Sequence, residues 1–424
     1  MRKQQRTVVI TGGLGNLGSK LCRHLLSLND DDDDVNDNDN HHGEGNAPTK
    51  TNFSYKVILV EHPSFIAALN QTHADATTTT TTSSNIITTQ LLQNVNVTLL
   101  SCNLGNPTAS QQQQLTRALT GADVVVHFSA VNPYPNATWD DCSQSLDHIY
   151  YIFTLAVQCS VRRVIFASSN HVMGGYKDDN DQKLYGRPAS LFPYTEPRVG
   201  TMPSNTNDIV TSGDGKAYAA AKLAGERYAR TLGNLYGTVT TFVVLRVGWC
   251  QPGENIPATL SAAGSPPEYL LQEKKMDDKD DNDHESDVDN GCRKQGGDAR
   301  EDVEQSKIDS CSNNTTTDAD DAAAANKDEL WYKQMWLSNR DFLAYFTAAM
   351  DVNVPTTTTA AATTATATSI ATSEQSGVVH QQHNKNVQKG FLLLNAMSRN
   401  SNAKWNLEDT EKWLGVVSID DSMA

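Results

Sequence analysis

The segment Thr7-Val8-Val9-Ile10-Thr11-Gly12-Gly13-Leu14-Gly15-Asn16-Leu17-Gly18 joins a short apolar run to a stretch with helical spacing. Thr7 to Ile10 reads as a buried strand, being short, β-branched and apolar. Leu17, Leu21, Leu25 and Leu28 recur every three or four residues and give a helix over Asn16 to Leu28. Between the two lie glycines at 12, 15 and 18. Such a turn needs positive φ and close backbone approach. A helix opening there points free N–H groups and its positive dipole end at whatever sits on the turn, which suits phosphate. A glycine pattern alone is weak; placed between a strand and a helix it indicates a dinucleotide pyrophosphate facing Gly12, Gly15, Asn16, Leu17 and Gly18.

The same alternation continues along the chain. Strands are expected at Lys56 to Val60, Val97 to Leu100, Asp123 to Phe128, Arg163 to Ala167 and Thr241 to Val247. Helices are expected at Gln113 to Leu119, Ser143 to Ser160 and Ala217 to Tyr236. Apolar strands alternating with helices give an α/β fold: a Rossmann-like, doubly wound parallel sheet covered on both faces. A small C-terminal substrate-binding region and several disordered insertions complete the expected architecture.

The second strand runs into Glu61. A carboxylate at that strand end accepts hydrogen bonds from ribose hydroxyls and repels a 2′-phosphate. The glycines and the acid are usually ~20 residues apart; an insertion at 30–51 accounts for most of the longer spacing. With no Arg close behind Glu61, the expected cofactor is NAD rather than NADP.

Length and charge mislead until they are mapped. The chain has 424 residues, 38% hydrophobic, with net charge −16. Two segments, Asn29 to Asn46 at −8 and Glu273 to Asp321 at −10, leave the rest at +2. Low-complexity or polar stretches at 30–51, 73–87, 179–211, 261–327 and 355–384 hold 167 residues and leave 257. Most of these cannot bury enough apolar surface to offset their ordering entropy. Leu191, Phe192 and Tyr194 give the third stretch anchors for a lid. The expectation is one NAD-binding domain spanning 1–424, interrupted five times. No clustered Lys and Arg suggest a nucleic-acid surface, and no stretch approaches ~20 consecutive apolar residues. Seven cysteines without a Cys-x-x-Cys pair fit neither a disulfide framework nor a zinc site. No metal is expected, and the compartment expected is cytoplasmic.

Tyr218 and Lys222 stand at i and i+4 of the long helix, on one face. A free Tyr has a pKa near ~10, and a neighbouring ammonium is expected to lower it. Phe166-Ala167-Ser168-Ser169-Asn170-His171 closes the fifth strand, where ligands bind in open parallel sheets. Ser169 is placed there to donate a hydrogen bond to a substrate oxygen while Tyr218 takes its proton.

Taken together, the glycine loop, Ser169 and Tyr218/Lys222 resemble the extended short-chain dehydrogenase/reductase superfamily, of NAD-dependent epimerase/dehydratase type. Phe166 to Gly174, Leu245 to Pro252 and Met335 to Phe342 resemble uronate dehydrogenases. The resemblance implies Ser169, Tyr218 and Lys222 as catalytic, with Tyr218 and Lys222 also touching the cofactor. It implies Asn103 and Leu104 beside the adenine, and Asn132, Asn170 and His171 on the substrate. Uronate dehydrogenases hold the substrate carboxylate with an Arg where this chain has Trp331; Arg340, or Arg198 from the 179–211 stretch, would supply the charge instead. Trp249 replaces a small polar residue, and Ser145 stands where an Asn is common.

The activity so implied is NAD-dependent oxidation of a sugar hydroxyl, of a hexuronate or related aldose to its lactone. The partners expected are a small sugar or sugar acid and, through the two long helices, a second copy of the chain. Alternatives are a nucleotide-sugar epimerase or dehydratase with tightly held NAD, and a non-enzymatic NAD-sensing scaffold.

Overall fold

The computed structural model describes residues 3–30, 52–74, 83–130, 139–172, 209–260, 333–356, 387–401, 403 and 405–423. Most of each of the five low-complexity or polar stretches falls outside these residues.

Eight strands form one sheet: β1 Gln4–Thr11, β2 Phe53–Glu61, β3 Val97–Ser101, β4 Val124–His127, β5 Arg163–Ser169, β6 Thr241–Val247, β7 Val387–Gln388 and β8 Phe391–Ala396. Their order is β3-β2-β1-β4-β5-β6-β8-β7. Every pairing is parallel except β7 on β8, at the edge. Strands β4, β5, β6 and β8 are buried at every position. This is what continuous apolar runs produce when helices cover both faces of a sheet.

The helices are α1 Asn16–Asp30, α2 Pro63–Ala74, α3 Ser83–Gln93, α4 Ala109–Leu119, α5 Trp139–Gln158, α6 Ile209–Tyr236, α7 Asn339–Asp351 and α8 Glu408–Leu414. Two apolar clusters lie on opposite faces of the sheet. One joins Val8 and Ile10 to Leu21 and Leu25 of α1 and to Phe342 and Phe346 of α7. The other joins Val9 to Leu115 of α4, Phe153 of α5 and Leu232 of α6. Alternation along β1 therefore feeds both layers, as a period-2 strand requires. The Rossmann-like α/β fold read from the sequence is the fold observed.

Strand order reverses between β1 and β4, because β2 and β3 run outward on one side of β1 while β4 to β6 run outward on the other. The C-terminal ends of β1 and β4 flank the crevice where such folds bind ligands. Gly12 follows β1 there with φ +67, and a Cβ on it would meet Ser129 N, beyond β4, at 3.0 Å.

Several boundaries differ from the sequence reading. Strand β5 continues through Ser168 and Ser169, because the polar pair is buried by hydrogen bonds rather than by apolar character. Helices α2 and α3 reach into the 73–87 stretch, and α6 begins inside 179–211. No helix among the described residues is long and apolar enough to cross a membrane.

Candidate active site

The cofactor end is a cradle that side chains would block. A Cβ on Gly18 would lie 2.3 Å from Gly12 O and 2.7 Å from Gly13 Cα, both backbone atoms. The loop closes on itself through Gly15 N donating to Gly12 O at 3.2 Å, and α1 opens at Asn16. Leu14 N donates to Glu61 Oε2 at 3.1 Å and His62 N to Glu61 Oε1 at 3.2 Å. Burial pushes the Glu61 carboxyl up, and these two donors oppose it. The glycine cradle, the helix N-terminus and a carboxylate held at the end of β2 fit a dinucleotide.

The neighbouring residues share structural duties. Asn16 Nδ2 donates to Cys250 O at 2.9 Å, which ties the start of α1 to the segment after β6. Leu17 packs partly into the core. Asn103 Oδ1 accepts from Gly105 N at 3.0 Å and Asn106 N at 3.2 Å, shaping the loop after β3, and Leu104 is buried beneath it.

Ser169, Tyr218 and Lys222 come together between β5 and α6. Ser169 lies beside the Tyr218 hydroxyl, and its own hydroxyl donates to Asn170 Oδ1 at 3.2 Å. Ser169 Oγ also accepts from His171 N at 3.1 Å. Lys222 is buried and donates from Nζ to Ala167 O at 2.7 Å. Its ammonium lies 5.4 Å from the Tyr218 ring centroid and 5.0 Å from that of Phe166.

The charge balance differs from the sequence expectation. Burial pushes Tyr218 up to about 12, and the opposing influence is Ser169 beside it. Burial pushes Lys222 down to about 7. Lys222 donates to a strand carbonyl, and Ser169 is the neighbour that opposes the rise at Tyr218.

On the substrate side, His171 stacks edge-on against Tyr218 with ring centroids 5.6 Å apart, and Trp249 lies 6.4 Å beyond His171. Asn170 is buried and donates from Nδ2 to Met335 Sδ, which turns the amide away from open solvent. Arg340 is exposed on α7 and its guanidinium grips Asp420, with Nε on Oδ2 at 3.1 Å. Its charge already has a carboxylate partner within the chain. Asn132, Arg198 and Trp331 lie outside the described residues. No group of three or more His, Cys, Asp or Glu able to hold a metal occurs among the described residues.

Residues 8–248 match the NAD dependent epimerase/dehydratase family.

The chain belongs to that family.

NAD, the cofactor expected from Glu61, is the one the family description names. Among curated relatives, L-arabinose 1-dehydrogenase (NAD(P)(+)) of Haloferax volcanii is 29% identical over 162 residues, 38% of this chain and 57% of that protein. Uronate dehydrogenase of Pseudomonas putida is 27% identical over 96 residues, 22% of this chain and 34% of that protein. The chain thus spans about a third to just over half the length of these two relatives. A solved mutated uronate dehydrogenase superposes with TM-score 0.45 at 14% identity, over 99% of this chain and 83% of that one.

Sequence reasoning missed residues that shape this family member's site. Asn255 adopts φ +60 and ties the loop after β6 to the segment before α7. Its Oδ1 accepts from Gln251 N at 2.8 Å and Trp336 Nε1 at 3.0 Å, and its Nδ2 donates to Leu337 O at 2.6 Å. Asn following Pro-Gly-Glu was the available signal, since Asn tolerates left-handed backbone. Lys20 is buried on α1 and donates to Gln251 O and Asn339 Oδ1. Glu226, Arg246 and Ser168 form a buried ionic group behind the trio.

Proposed function

We propose that the chain oxidises a sugar hydroxyl with NAD, turning a hexuronate or related aldose into its lactone. The observation that carries this reading is Ser169, at the end of β5, beside Tyr218, one helical turn from buried Lys222, whose Nζ donates to Ala167 O at 2.7 Å.

Gly12, Gly15 and Gly18 would admit the pyrophosphate, and Glu61 would take the adenosine ribose hydroxyls. Bound NAD supplies the hydride acceptor for the carbon that bears the hydroxyl. Tyr218 takes the proton of that hydroxyl, and Ser169 holds both the Tyr218 oxygen and the substrate oxygen in line. Lys222 fixes the helix to the end of β5 through Ala167 O and, while protonated, favours the phenolate. His171 and Trp249 wall the sugar ring with aromatic surface. Alignment of this kind supplies much of the rate acceleration in bimolecular chemistry.

The test is NADH formation across a panel of hexuronates, neutral aldoses and nucleotide sugars. A single sugar or sugar acid that drives NADH formation supports the reading. NAD that co-purifies with the chain, with nucleotide sugars interconverted and no net NADH, would replace it with an epimerase. NAD binding without turnover of any sugar would favour a sensing scaffold.

A further inference from the structure

Behind Ser169, Tyr218 and Lys222 lies a charged group that the chemistry above does not use. Glu226 Oε1 accepts from Ser168 Oγ at 2.7 Å and from Arg246 Nε at 2.8 Å. Glu226 Oε2 accepts from Arg246 Nη2 at 2.7 Å. The side chains of Arg246 and Glu226 are 1% and 4% exposed, so the pair is fully desolvated. Such a pair contributes little net stability, because the cost of removing two charges from water offsets their attraction. Well-packed apolar residues would serve the core as well. What the ionic group supplies instead is direction.

Its three members sit on the three elements that build the site. Ser168 is on β5 beside Ser169, Arg246 is on β6, and Glu226 is on α6 one turn past Lys222. Tyr218, Lys222 and Glu226 follow one another at i, i+4 and i+8, on one face of the helix. Two of these turns grip the end of β5, Lys222 through Ala167 O and Glu226 through Ser168, and Tyr218 on the third lies beside Ser169. The forked Arg246–Glu226 contact admits one geometry, unlike a single point charge.

We propose that Glu226 and Arg246 are positioning residues that fix the register of α6 on β5, and so the contact between Tyr218 and Ser169. This deepens the dehydrogenase reading and rests on it for the kinetic effect only. A displacement of about 1 Å at a reacting group costs on the order of 100-fold in rate.

The test replaces both charges at once, Glu226→Met with Arg246→Met, so that neither member of the pair is left buried without the other. Position 218 carries 3-fluorotyrosine in this variant, in the parent and in Ser169→Ala, and the fluorine resonance reports the Ser169 contact without any substrate. The double variant is expected to shift this resonance toward that of Ser169→Ala. On the substrate found by the panel, kcat should fall about 10- to 100-fold with KM for NAD within about twofold of the parent. A folded double variant with the parental resonance overturns the proposal. Should the double variant fail to fold, Ser168→Ala decides, since it deletes one hydroxyl contact and leaves the ion pair. It should shift the resonance in the same direction by a smaller amount; an unmoved resonance overturns the proposal. Failure of the sugar panel leaves the resonance readout intact, so the two readings fail separately.

Discussion

Lys222 donates its Nζ proton to Ala167 O at 2.7 Å, two residues before the Ser169 that lies beside Tyr218. Helix and strand are thus stitched at adjacent points, and the lysine is held in a site that disfavours its charge. Burial lowers its pKa from 10.5 to about 7. Between these two values the unfolded chain binds more protons than the folded one, so stability rises with pH across that window. The penalty is full below pH 7 and gone above about 10.5. Lys222→Met should therefore compare best with the parent near pH 6, and lose that relative advantage by pH 10. Urea unfolding of both proteins at several pH values checks this. A gap that does not change with pH would contradict it.

The loop is tested at Gly18. A methyl there would press on Gly12 O at 2.3 Å and Gly13 Cα at 2.7 Å. Neither is the end of a flexible side chain, so the loop itself must move. Gly18→Ala should cost about 1–3 kcal/mol of stability and lower NAD affinity by more than tenfold. Calorimetric titration with NAD reads the second effect. Parental affinity would show that the loop is not the pyrophosphate cradle.

The proposed ribose contact is tested at Glu61. It receives Leu14 N at 3.1 Å and His62 N at 3.2 Å, so its carboxylate is fixed at the strand end. Glu61→Ala should raise KM for NAD about tenfold, the worth of one hydrogen bond to a charged group, and narrow the preference for NAD over NADP. Initial rates with each cofactor measure both. Unchanged discrimination would remove Glu61 from ribose recognition.

How far the sequence carried the account depends on which physical signal each residue leaves. Strand β6 was read to its ends, because Phe242 to Leu245 is an apolar, largely β-branched and aromatic core and Gly248 stops the run. The glycine loop was legible because its spacing lay between two clear periodicities. Strand β5 ended early in the reading because the hydroxyl of Ser168 is buried against a partner far away in sequence, Glu226. Helix α3 was hidden by Ser, Thr and Asn, which favour turns in isolation. Strand β8, Phe391–Ala396, lies beyond a long low-complexity stretch, and its place beside β6 is a matter of tertiary pairing. Spacing and context brought Ser169, Tyr218 and Lys222 together in the reading as the structure does, yet not their charge balance, since burial is invisible until helix and strand meet. Arg340 illustrates the same limit: its pairing with Asp420 joins residues 80 apart.

The most direct measurement is NADH formation by the full chain and by its Tyr218→Phe variant, on whichever uronate or aldose of the panel is most active. The account expects the parent to reduce NAD, and the variant to lose about 100-fold or more in kcat while binding NAD with nearly unchanged affinity. A Tyr218→Phe protein that turns over at the parental rate would contradict the assignment of Tyr218 as the group that takes the sugar proton.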